Sequence, residues 1–230
     1  MRAALLILCL ALATPLGSRA SAQDSAPAAS FQSFSDLELR ADLESIVPRL
    51  HFDVHGAVRR AADVTEARIR PALGVRVNDW AIVSAGYAWA PTFADQGEDR
   101  PENRFFQRIT ARFASARAEL FAEGRLEQRF SPDHGGVGWA SSLAARGALR
   151  LGSTGFWLLV EERMIFQMNG TASGLSAGLE ENRLFGGFAY DLGSRTILRF
   201  GYMNRVQPMN PTRVGHVLFV GPRMAFRAGR

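Results

Sequence analysis

Residues 180–207, EENRLFGGFAYDLGSRTILRFGYMNRVQ, alternate with a period of two along almost their whole length and turn once, at Gly193-Ser194. In the first half Leu184, Gly186, Phe188, Tyr190 and Leu192 share one face, and Arg183, Phe185, Gly187, Ala189 and Asp191 share the other. In the second half Leu198, Phe200 and Tyr202 oppose Arg199, Gly201, Met203 and Arg205. A period of two is that of a strand, because successive side chains leave a pleated backbone on opposite sides. Two such runs around a glycine turn read as a β-hairpin. This hairpin is the unit the rest of the chain repeats, so the expected class is all-β.

The repeats run in order. Residues 35–45 set Leu37, Leu39, Ala41 and Leu43 against Glu38, Arg40, Asp42 and Glu44. Leu50–Arg60 sets Leu50, Phe52 and Val54 against His51, Asp53 and His55. Residues 66–77 set Ile69, Leu73, Val75 and Val77 against Arg68, Arg70 and Arg76, and a strand at 80–91 follows. Residues 104–115 place Arg104, Arg108 and Arg112 opposite Phe105, Ile109 and Phe113. Residues 118–130 answer with Glu119, Glu123, Arg125, Glu127 and Arg129. Residues 143–151 pair with 156–166 across a Gly-Ser-Thr-Gly turn, and the last strand covers 216–226. Helical periodicity does not occur after residue 22.

Strands of roughly 10–12 residues are longer than the ~5–6 usual in globular sheets and match the ~9–11 of a tilted membrane-spanning strand. The connections also alternate. Short turns at 78–79, 116–117, 153–154 and 193–194 are each followed by a long loop, at 92–103, 131–141, 168–178 and 208–215. Short turns at one end and long loops at the other are the plan of an up-and-down outer-membrane barrel. Counting back from Phe226 makes the strand at Leu50 the first to run upward. The expected count is therefore about ten antiparallel strands, or twelve, because bacterial barrels of this kind have even strand numbers. Residues 35–45 are then left over, either as an element across the inner mouth or as part of a larger wall.

The amino terminus carries a secretory signal. Arg2 is the positive region, residues 3–16 are apolar, and Ala20-Ser21-Ala22 is a cleavage site, with cleavage expected after Ala22. The expected domains are thus residues 1–22 as signal peptide, 23–34 as a disordered leader, and 35–230 as the barrel. The only cysteine, Cys9, lies within the signal, so no disulfide forms in the mature chain. No later stretch is apolar for the ~18 residues that a membrane helix needs. All 27 basic side chains are arginine, against 22 acidic ones. They are interleaved with Glu and Asp along many strands rather than gathered in a patch, which argues against nucleic acid as a partner despite a pI near 10.5.

The charged face is expected to line the lumen and the apolar face to meet lipid. A one-residue slip would exchange them and put Arg104, Arg108 and Arg112 in hydrocarbon, at about 2–4 kcal/mol each near the midplane. Glu162 breaks the scheme, being in phase with Leu158 and Val160. Either a bulge shifts the phase there or Glu162 lies near an interface. Alternation alone also admits a soluble periplasmic barrel with an apolar interior that binds an apolar ligand. Three features favour the membrane. Small residues (Ala111, Ala122, Gly124, Ala145, Gly147, Gly186) occupy apolar-face positions where they would underfill a dry core. Aromatics (Trp89, Phe105, Phe130, Phe156) fall near strand ends. The last strand finishes on an outward Phe226.

Candidate chemistry is sparse. His51-x-Asp53-x-His55 places two imidazoles and a carboxylate on one lumen face, a pattern suited to a metal or an oriented general base. It is equally the pattern of plain polar lining. His216 opens the last strand beside a long loop, and His134 lies within one. Neither has a nucleophile motif such as G-x-S-x-G beside it. No catalytic, cofactor or metal residue is assigned, and His51, Asp53, His55 and His216 are kept as lumen candidates. Glu119, Glu123, Glu127 and Glu161, with Arg108, Arg112, Arg125, Arg146, Arg150, Arg163, Arg183 and Arg199, line either an anion-selective pore or an ion-pair lattice filling a narrow bore. A barrel of this size favours the lattice.

Several short motifs recur in a familiar order. They are Gly86-Tyr87, Glu102-Asn103-Arg104, Gln107, Arg125-Leu126-Glu127-Gln128-Arg129, Glu161-Glu162, Asn182-Arg183, Gly201-Tyr202-Met203-Asn204, and finally His216. The order resembles that of the domain of unknown function 2490 family, over about residues 37–226. The resemblance implies a secreted bacterial β-barrel of the outer membrane and implies no reaction or cofactor. The expected partners are outer-membrane lipid and, through the carboxy-terminal strand, the barrel-assembly machinery. A structural or small-solute barrel, an outer-membrane hydrolase on lipid or peptide, and a soluble barrel are the three functions left to separate.

Overall fold

The computed structural model describes residues 28–62, 64–95, 99–130, 136–170, 177–193, 195–209 and 212–227. The expected signal peptide with its cleavage point, His134 and Ser194 lie outside them. The strands are β1 (Ala28–Asp42), β2 (Leu50–Arg60), β3 (Val64–Arg76), β4 (Ala81–Trp89), β5 (Thr92–Ala94), β6 (Asn103–Ala114), β7 (Ala118–Phe130), β8 (Val137–Arg150), β9 (Phe156–Gln167), β10 (Gly178–Gly193), β11 (Thr196–Gln207) and β12 (Arg213–Arg227). Eleven of them form a closed barrel wall. The three-residue β5 extends it locally by pairing with Val64, Thr65 and Glu66 of β3. Each hairpin expected from alternation is present, including β10–β11, whose register couples Phe188 with Phe200 and Gly186 with Tyr202.

The strand number is the main difference from the expected ten. All ten strands from Leu50 onward exist, but residues 28–42 form an eleventh wall strand between β2 and β12. They do not cross the inner mouth, and residues 28–34, expected in the leader, belong to β1. An odd count forces two strands of one direction to meet. β1 accordingly pairs in parallel with β12, while every other pairing between strands is antiparallel. The physical reason is on the inner face of β1. Its Gln32, Asp36, Glu38 and Arg40 meet Arg59 (2.7 Å), Arg199 (2.9 Å), Arg223 (3.3 Å) and Asp53 (2.7 Å). A strand this polar on one side gains partners inside the wall that water at the mouth would only match, and charge-assisted bonds of this kind are the stronger ones.

The parallel seam has a local irregularity. Register runs to Ser35–Val220 and resumes at Glu38–Arg223. Pro222 lies in the gap and has no amide hydrogen to contribute to a ladder. Gly221 beside it is required. A Cβ there would stand 2.8 Å from the Asp36 Cγ and 2.9 Å from the Asp36 carbonyl oxygen.

Face assignment follows the alternation. Ile69, Leu73, Ile109, Leu143, Leu149 and Leu218 are all more than half exposed on the outer wall. Glu123, Arg125, Glu127, Arg129, Arg146 and Glu181 are buried within. This is the reverse of a soluble barrel with an apolar interior. One inner sector is nonetheless apolar, formed by Leu159, Phe185, Met203 and Val217 with Phe34 and Phe219 packed against them. Aromatic pairs on the outside sit near both rims. Tyr87–Phe105 and Phe105–Phe130 (ring centroids 5.4 and 5.9 Å apart) lie toward the long loops, and Trp80–Phe113 and Phe156–Tyr190 (5.6 and 4.5 Å) toward the short turns.

Glu162 is an outer-face residue. Its register is continuous with Ala145 on β8 and with Leu184 on β10, so no bulge shifts the phase there. Asn182, its outward neighbour, donates to its carboxylate at 3.1 Å. The bulge in this region lies instead between Leu179 and Glu181. It lets consecutive Glu180 and Glu181 both reach lumen arginines: Glu180 meets Arg129 at 2.8 Å and Glu181 meets Arg205 at 2.5 Å.

Candidate functional site in the barrel lumen

The lumen is crossed by ion pairs in tiers. Near the long-loop end Glu127 takes Arg125 (2.9 Å), Arg104 (3.2 Å) and Arg129 (3.3 Å). Glu181, fully buried, pairs with Arg183 and Arg205. Midway, Glu123 meets Arg163 at 2.7 Å and Asp36 meets Arg199 at 2.9 Å. Toward the short turns Glu119 bridges Arg112 (2.6 Å) and Arg146 (3.2 Å). Most of these carboxylates touch two or more guanidinium groups. Such lattices suit arginine, whose planar fork serves several acceptors at once.

The sequence candidates fall into this lattice unequally. His51, Asp53 and His55 share the inner face of β2, as the alternation requires, but the two imidazoles turn to different carboxylates. His51 Nε2 is 3.3 Å from Asp53, whereas His55 Nε2 is 3.3 Å from Asp36. Asp53 is itself occupied by Arg40 and Arg108, each at 2.7 Å. Among the described residues, no three His, Cys, Asp or Glu side chains are grouped to hold a metal ion. His51 is buried, its ring packed against Gly74. His55 borders the main lumen cavity with Asp36 behind it.

His216 is not a lumen residue. It lies on the outer face of β12 in phase with Leu218 and Val220, and its Nδ1 shares a hydrogen bond with the Tyr202 hydroxyl. The two rings stack with centroids 6.1 Å apart. The phase that puts Leu218 outside puts His216 there too, so its position was readable from the alternation.

The cavity has a volume of about 160 Å³ and is bordered by ten arginines and five carboxylates. A wider vestibule of about 640 Å³ opens beside it at the short-turn end, and Arg40, Arg146, Leu159, Arg199 and Arg223 line both. Sequence reasoning missed two features here. The Asp36–Arg199 pair exists only because β1 is in the wall. Arg68 and Arg70 line the cavity without a carboxylate at ion-pair distance among the described residues, and each buries an Nε atom that has no hydrogen-bond partner. Among the described residues, no nucleophile is hydrogen-bonded to either inner imidazole. The arrangement can bind charge and fill the bore.

Comparison with known proteins gives a family and one relative. The model of the family described as "Protein of unknown function (DUF2490)" matches residues 31–214. An uncharacterized protein of Methylorubrum extorquens strain AM1 is 27% identical over 140 residues, which is 60% of this chain and 61% of the relative. The chain thus spans about three-fifths of the length of that curated relative.

Proposed function

The chain belongs to the family of unknown function DUF2490, and from that premise we propose that it is an integral outer-membrane β-barrel. Its role is structural or small-solute, with an arginine–carboxylate lattice filling the lumen. The observation that carries this reading is the outer wall. It is a belt of exposed aliphatic residues, Ile109, Leu143 and Leu218 among them, bounded near both rims by aromatic pairs. Water gives no reason to place such side chains outside and to bury Glu123, Arg125 and Glu127. Hydrocarbon gives one. Lipid is accordingly the partner of the wall, and the carboxy-terminal strand β12, ending on outward Phe226, is the segment offered to the barrel-assembly machinery.

The lattice supports an occluded bore. Ion pairs such as Arg163–Glu123, from β9 to β7, and Arg108–Asp53, from β6 to β2, span strands that are not neighbours in the wall. Planar-bilayer recording tests this part. The reading expects no steady conductance from the wild-type protein. A stable ohmic channel would replace it with an open pore.

A further inference from the structure

Two arginines on the lumen face take no part in the lattice among the described residues. Arg68 and Arg70 stand two residues apart on the inner face of β3, and both border the cavity. Every carboxylate bordering that cavity is paired elsewhere: Asp36 with Arg199, Glu38 with Arg223, Asp53 with Arg40 and Arg108, Glu123 with Arg163, and Glu161 with Arg146 and Arg163. Neither Arg68 nor Arg70 makes an ion pair or hydrogen bond with any described residue, and the Nε atom of each is buried. Arg70 is 93% withdrawn from solvent, at 7% exposure. It is held over the Phe106 ring, with its guanidinium carbon 5.6 Å from the centroid. Among the charged groups acting on Arg70, Arg125 and Arg68 come first and are of like sign, with Glu127 and Glu123 opposed behind them. Those acting on Arg68 are Arg104, Arg183 and Arg125, with Glu127 alone opposed. From β2, His55 also faces Arg70, and its Nδ1 is buried and unpaired.

Burying charged groups without counter-charge opposes folding, and proteins avoid it unless a partner arrives. We infer that Arg68 and Arg70 form an anion-binding site in the lumen, built for a small doubly charged oxyanion of the phosphate class. Two guanidinium groups match a dianion in charge, and their N–H forks match its tetrahedral oxygens. The cavity of about 160 Å³ has room for phosphate or a small phosphomonoester. The site stands on the barrel interior alone, so it does not depend on where the barrel resides.

The test is calorimetric titration of detergent-solubilised full-length protein with inorganic phosphate, compared with sodium chloride at matched ionic strength. Wild type is expected to bind phosphate saturably at one site. Arg68→Gln/Arg70→Gln is expected to lose about tenfold or more in affinity, since charge-assisted bonds carry the recognition. The Arg112→Gln variant, altered at a paired rim arginine, retains it. Without phosphate the double variant should melt no lower than wild type, because two unpaired charges inside the lumen have gone. Glycerol 3-phosphate as a second titrant separates free phosphate from a phosphomonoester. Equal affinity in wild type and the double variant, or an equal response to chloride, overturns the site. If the double variant fails to fold, the wild-type titration still decides: no saturable heat with phosphate sinks the inference.

Discussion

Arg199 on β11 donates two hydrogen bonds, at 2.9 and 3.1 Å, to the Asp36 carboxylate on β1, reaching past the intervening β12. The pair clamps the parallel seam from inside, next to the gap where Pro222 interrupts the ladder. Removing one partner of a buried pair costs about 3–5 kcal/mol, whereas replacing both by apolar groups is often near neutral. Asp36→Asn is therefore expected to lower the unfolding free energy by that order in urea titration of the folded barrel. Asp36→Leu with Arg199→Met should recover most of it. A loss no greater than that from Glu44→Gln at the exposed Arg76–Glu44 pair would contradict the clamp.

Gly221 gives the same seam its closeness. A methyl group there meets the Asp36 side chain and carbonyl, so Gly221→Ala should destabilise the barrel by about 1–3 kcal/mol, as overpacking does. Gly186, with nothing within 4 Å of an added Cβ, is the control, and Gly186→Ala should be close to neutral. Equal melting curves for the two variants would remove the steric argument.

The outer wall makes a third prediction. Ile109→Arg on β6 exchanges an outward aliphatic residue, 55% exposed, for a charge. In a bilayer this costs about 2–4 kcal/mol near the midplane. In water an exposed Ile-to-Arg change is usually within ±0.5 kcal/mol, roughly. Folding titrations in lipid vesicles distinguish the two. Glu162→Leu, at the outward carboxylate, is expected to change stability in the opposite direction.

The histidines make a fourth. His55 has a carboxylate behind it and, among the described residues, no hydrogen-bonded nucleophile before it, and His216 lies outside with Tyr202. Purified protein is expected to hydrolyse neither phospholipid nor lipopolysaccharide above a detergent blank. His216→Ala should remove one net hydrogen bond, about 0.5–1.5 kcal/mol. Turnover by wild type that disappears in His55→Ala or His216→Ala would establish an enzyme instead.

The faces of this barrel were legible because alternation is a local property. Once Leu184 faces out, Arg183 faces in, and the same parity placed His51, Asp53 and His55 inside. It would have placed His216 outside had its position beside the last loop not been given more weight. Partner choice across the lumen was not legible. Asp36 and Arg199 are 163 residues apart, and their meeting depends on closure, strand tilt and the entry of β1 into the wall. The eleventh strand was not legible for the same reason, since the even-number rule for such barrels says nothing of a parallel seam. Arg68 and Arg70 look in sequence like every other lumen arginine. Only the distribution of carboxylates in three dimensions leaves them without partners among the described residues.

The central claim is that the apolar wall meets lipid. It is tested most directly by separating inner and outer membranes by density after expression, washing with carbonate and running the protein unboiled and boiled. The account predicts recovery in the carbonate-resistant outer-membrane fraction, with a mobility shift that requires boiling. Recovery in the soluble periplasm, with one mobility in both lanes, would contradict it and leave the exposed belt around Ile109, Leu143 and Leu218 to be covered by another protein rather than by lipid.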